Sequence, residues 1–100
     1  MTTVAIYVEL KAKQGKENEL ASFLKGARGL AVAEAGTVTW FAVRFDESTF
    51  AIFDAFNDEA GRDAHLSGPI AAALMGRAEE LLAQAPAIRK ANVLADKLPT

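Results

Sequence analysis

The chain has 100 residues, 51% of them apolar, with 11 Lys+Arg against 13 Asp+Glu and a net charge of -2. That length allows one domain, residues 1–100, which on folding buries roughly 65% of its unfolded surface, enough for one core. The absence of cysteine excludes disulfides, thiolate chemistry, cysteine-ligated zinc and iron–sulfur clusters. The charge balance leaves no basic footprint for nucleic acid, and no run of 18 apolar residues offers a membrane span. The opening MTTVAIYVELK alternates and lacks a basic n-region, so a soluble, cytoplasmic domain without a signal peptide is expected. Alanine supplies 21 of the apolar residues, so the few large side chains decide where the core lies.

Changes in hydrophobic period mark the elements. From Thr3 to Ala12, Val4, Ile6, Val8 and Leu10 alternate with Ala5, Tyr7, Glu9 and Lys11, a strand. Lys13-Gln14-Gly15 breaks it. Leu20, Phe23, Leu24, Ala27, Leu30 and Ala31 then follow helical spacing, giving a helix from Lys16 to Ala35 that stops at Gly36. Thr37–Phe45 and Thr49–Phe56 are rich in β-branched and aromatic residues, two strands joined by a turn at Asp46-Glu47-Ser48. Asn57 or Asp58 caps a short helix to Leu66. Ser67-Gly68 ends it, and Pro69 opens a further helix striped by Ile70, Leu74, Ala78, Leu81 and Leu82 and closed by Pro86. Ile88 to Leu98 reads as a last strand.

The order β-α-β-β-α-β, with its second helix broken in two, predicts an α+β fold. The expected form is the ferredoxin-like one: a four-stranded antiparallel sheet with helices on one face. If Phe45 faces Phe50, Phe41, Val43, Phe45, Phe50, Ile52, Asp54 and Phe56 share one face of the hairpin. Val38, Trp40, Ala42, Arg44, Ala51, Phe53 and Ala55 then share the other. Both faces are largely apolar, whereas a sheet solvated on one side shows polar residues there. The helices suffice for one face, so the other is expected to meet a second copy, as a homodimer through the sheet face. Tyr7 belongs to that interface.

The fold alone leaves the function open. An RNA-recognition module shares the element order, but its third strand carries a basic-Gly-aromatic signature. Here that stretch is Ser48-Thr49-Phe50-Ala51-Ile52-Phe53-Asp54-Ala55, without the leading cation or the glycine, and with an aspartate that repels phosphate. A non-catalytic ligand-binding or regulatory dimer, and an enzyme with a pocket between helices and sheet, both fit.

The segment 36–74 is more specific. Gly36-Thr37-Val38-Thr39-Trp40, the run from Phe50 through Asp54 and Phe56 to Ala60, Ala64-His65-Leu66 and Pro69 together resemble the antibiotic biosynthesis monooxygenase family, of the dimeric α+β barrel superfamily. The resemblance covers roughly residues 3–82. It implies a dimer of ferredoxin-like domains and oxygenation of electron-rich aromatics, quinols or polyketide phenols, without flavin or metal. The partner it implies is therefore a small aromatic molecule, with no cofactor. Haem-degrading relatives carry a tryptophan near the His65 position, a ligating histidine where Met75 stands, and an asparagine near Val8, so haem chemistry is not expected here.

Such chemistry needs a dry aromatic pocket, one base near neutral pKa and a donor for the developing anion. His65, the sole histidine, is the candidate catalytic residue, as base or orienting donor; it could equally cap the short helix. Trp40, Phe23, Phe53, Met75 and Val8 are the candidate substrate-pocket residues, each also readable as core or interface. Asp54 lies among apolar neighbours and needs a partner, for which Arg44 and Arg89 are the expected cations, or else serves as a second acid–base group. One histidine, no cysteine and scattered carboxylates make no metal site.

Overall fold

Strand β1 (Val4–Lys11) sends Val4, Ile6, Val8 and Leu10 into the core. In the computed structural model, which describes residues 1–99, it is followed by α1 (Glu17–Ala33), β2 (Thr37–Arg44), β3 (Thr49–Phe56), α2 (Glu59–Leu66), α3 (Pro69–Leu81) and β4 (Ala87–Asn92). The strands form one antiparallel sheet in the order β2-β3-β1-β4, with β1 and β3 in the middle. This is the ferredoxin-like α+β fold that the element order implies. Phe50, Phe56, Ile6, Leu10, Leu20 and Leu81 are sealed between sheet and helices.

Local signals explain most boundaries. Gly15, at φ 88, turns the chain out of β1 in a conformation that favours glycine. The Asp46 carboxylate accepts the backbone N–H groups of Ser48 (3.0 Å) and Thr49 (2.8 Å), shaping the β2–β3 turn. Asp58 is the residue that caps α2, accepting from the Gly61 N–H at 2.8 Å. Pro69 occupies the first turn of α3, where its missing N–H costs nothing.

Three expectations need correction. Helix α1 ends at Ala33 rather than Ala35. Gly36 has no left-handed conformation; its lack of a side chain serves a close approach instead, since a Cβ there would lie 3.1 Å from Gly61 Cα. The last strand ends at Asn92 rather than Leu98, because Asn92 already pairs with Val4, the first residue of β1. After the Val93 N–H bonds Thr3 O, β1 has no further backbone to offer.

The third correction is the hairpin register. Trp40 faces Asp54, Phe41 faces Phe53 and Arg44 faces Phe50, one residue away from the expected pairing, with an irregularity between Thr37 and Thr39. A one-residue slip exchanges faces. Trp40, Ala42 and Arg44 therefore join Phe50, Ile52 and Asp54 on the helix side. Phe41, Val43 and Phe53 lie on the open side, 55%, 41% and 40% exposed.

Candidate functional site

The site is built where the α1–β2 loop meets α2. Gly36 and Gly61 pass so closely that a Cβ on Gly61 would lie 3.1 Å from Gly36 O, and this contact brings Glu34 over α2. Helix α2 is one turn further on at His65, which it turns inward; His65 is 7% exposed and its ring lies 5.4 Å from that of Phe56. Asp54 comes up from β3 beneath it and is fully buried.

The three side chains form a line. His65 Nδ1 lies 2.6 Å from Glu34 Oε1, and His65 Nε2 lies 2.8 Å from Asp54 Oδ2. The Thr37 hydroxyl donates to the same Glu34 oxygen at 2.7 Å, fixing that carboxylate. The Nε2 contact is at ion-pair distance but off hydrogen-bond alignment, and both Asp54 oxygens and Glu34 Oε2 are buried without a hydrogen bond. Burial works against a charged imidazole, yet the Asp54 and Glu34 carboxylates at its two nitrogens outweigh it, lifting the His65 pKa from 6.5 to about 9. At neutral pH the ring is therefore an imidazolium, held between Asp54 and Glu34.

The partner of Asp54 is thus His65, not Arg44 or Arg89. Arg44 is anchored elsewhere, donating from Nε to Asp46 O (3.2 Å) and from Nη2 to Glu47 O (2.8 Å). Arg89 pairs in register with Tyr7 on the open side, the face opposite Asp54. The partner Glu34 was not legible in sequence, where it reads as one more charge off the apolar stripe of α1.

His65 borders a cavity of about 120 Å³ between the sheet and helices α2 and α3, whose other lining residues are apolar, among them Ile6, Val8, Ile52, Leu74 and Met75. An apolar cavity of about 150 Å³ holds one benzene ring, so this one is of single-ring size. His65, Val8 and Met75 come together here. The other expected pocket residues do not: Trp40 lines a groove under α1, Phe23 borders a surface groove with Arg77, and Phe53 lies on the far face of the sheet. Among the described residues no group of three or more His, Cys, Asp or Glu could hold a metal ion; Glu34 and Asp54 meet opposite nitrogens of one ring and do not converge. Nor is any described helix long and apolar enough to cross a membrane.

No family model and no curated protein matches the chain. Among solved structures, the NE2512 protein of unknown function from Nitrosomonas europaea is 57% identical, with a TM-score of 0.99 over 100% of this chain and 97% of that one. A candidate antibiotic biosynthesis monooxygenase from Nitrosomonas europaea superposes with a TM-score of 0.83 at 13% identity, over 92% of this chain and 99% of that one. Another such candidate, from Caulobacter crescentus, gives 0.81 at 15% identity, over 94% and 92%. The chain therefore belongs to the family of the NE2512 protein, and its fold is that of the antibiotic biosynthesis monooxygenase-like proteins.

Proposed function

We propose that this protein oxygenates a small aromatic quinol or phenol with dioxygen, using neither flavin nor metal. The observation that carries this reading is a single ionisable side chain, His65, on the wall of an otherwise apolar cavity of single-ring size. Fold neighbours named for monooxygenase activity support it. A dihydroquinone and O₂ give a hydroxyquinone and water: one ring C–H becomes C–O, and the second oxygen atom leaves as water. The substrate supplies all four electrons, so no external reductant is needed.

The slow step asks for loss of a phenolic proton, because the anion passes an electron to dioxygen far more readily. At neutral pH His65 is already an imidazolium, with a pKa of about 9, so it does not take that proton; its positive charge favours the phenolate, and the proton passes to solvent as the ring binds. Glu34 and Asp54 hold the protonated ring at its two nitrogens, which keeps that charge in place. The lining offers the developing charge no ionisable partner but His65, so that charge meets a fixed group.

The test is oxygen uptake by metal-stripped protein over a panel of dihydroquinones. Turnover above autoxidation is expected, and His65→Ala, which removes the fixed positive charge beside the developing anion, should lower it at least about 100-fold. Rates equal to autoxidation for every substrate would favour the second reading, a non-catalytic ligand-binding dimer. That reading draws on the engagement of both ring nitrogens by carboxylates.

A homodimer through the open sheet face is part of the same proposal. Phe41, Val43, Phe45 and Phe53 are all at least 40% exposed, and apolar side chains so grouped are ordinarily covered.

A further inference from the structure

A second cavity, of about 580 Å³, opens between α1 and the β2 edge of the sheet, away from the His65 cavity. Its apolar surface comes from Ala21, Leu24, Ala42, Phe50 and the ring of Trp40, and its polar side chains are Lys25, Arg28, Arg44 and the Trp40 indole. Each of those polar groups is a hydrogen-bond donor, and no side-chain acceptor lines the groove.

One of the donors is prepared for a ligand. Arg44 is held by the carbonyls of Asp46 and Glu47 and lies 4.8 Å above the Phe50 ring, which leaves its Nη1 uncommitted and its side chain already ordered. The Trp40 ring supplies the flat aromatic wall of the groove. Lys25 and Arg28 form no ion pair among the described residues. In a protein of net charge -2, this is a local concentration of three cations beside an aromatic surface.

We infer that this groove is a binding site for a small planar aromatic carboxylate. The ring would lie on Trp40 and the aliphatic wall, and the carboxylate would accept from Arg44 Nη1 and Arg28. An anionic head matches a donor-only lining, and a flat apolar body matches the rest; a neutral or cationic ligand leaves the donors unmet. The site is separate from the His65 cavity and does not depend on the oxygenase reading.

Trp40 is the only tryptophan in the chain, so its fluorescence reports on this groove directly. We expect salicylate to quench it saturably and to bind at least tenfold more tightly than salicylamide, its neutral counterpart. The double variant Arg28→Gln/Arg44→Gln should weaken salicylate at least tenfold, and Lys97→Gln, a cation outside the groove, should leave it unchanged. Circular dichroism checks that each variant is folded; if the double variant is not, Lys25→Gln/Arg28→Gln, at two exposed positions, takes its place. Equal binding of salicylate and salicylamide, indifference to the groove variants, or no saturable quenching would overturn the assignment. So would a change in Trp40 emission on concentrating the protein alone, which would give the groove to a second copy of the chain.

Discussion

Glu34 Oε1 lies 2.6 Å from His65 Nδ1 although 31 residues separate them. The distance is short because Gly36 and Gly61 let the α1–β2 loop touch α2. Through this contact, one ionisable ring joins the end of α1, helix α2 and, through Asp54, the centre of the sheet.

The first consequence is a dependence of stability on pH. The His65 pKa is raised in the folded state, from 6.5 to about 9, so the fold binds this proton more tightly than the unfolded chain. The contribution is complete below about pH 6.5, declines as pH rises, and is lost above about pH 9. Its size is a few kcal/mol at most, because screening at the partly exposed Glu34 reduces it. Urea unfolding midpoints between pH 6 and 10 should fall across that window in the parent and stay flatter in His65→Gln.

Asp54 is sealed beneath the imidazolium. Asp54→Ala removes one of two carboxylates from a buried cation and should cost about 3–5 kcal/mol in urea unfolding. Asp54→Asn keeps the shape but not the charge, and should lower the His65 pKa in an NMR titration. A parent-like stability for Asp54→Ala would mean that the ion pair contributes nothing to the fold.

Gly61 tests the loop contact from a distance. A methyl group there would stand 3.1 Å from Gly36 O and 3.4 Å from the Asp58 carboxylate. Gly61→Ala should therefore destabilise by about 1–3 kcal/mol. If the loop is displaced, Glu34 withdraws and the His65 pKa moves towards 6.5. An unshifted His65 titration in a folded Gly61→Ala protein would show that Glu34 reaches the ring without this approach.

The open sheet face gives the fourth expectation. Phe41 and Phe53 face each other across β2 and β3 and are both exposed. A second copy on this surface should cover more than about 1,000 Å². Sedimentation at micromolar concentration should find a dimer for the parent and a monomer for Phe41→Lys/Phe53→Lys. A monomeric parent would remove the dimer from the proposal.

The elements, their order and their local punctuation could be read from the sequence because each rests on neighbours in the chain. The alternation of β1, the Asp58 cap, the Asp46 turn and Pro69 at the head of α3 are interactions over a few residues. The need of Asp54 for a partner was also legible, since a carboxylate among Phe50, Ile52 and Phe56 cannot stand alone. The hairpin register was not. Both faces of β2 are apolar, so Trp40 and Phe41 compete equally for the core, and only packing under α1 and the pairing with β3 decided between them. The site followed the same rule: His65 stood out as the sole histidine, but Glu34 looked like any charge on a helix. Its role depends on a backbone approach between two glycines far apart in sequence, and no local pattern records a contact of that kind.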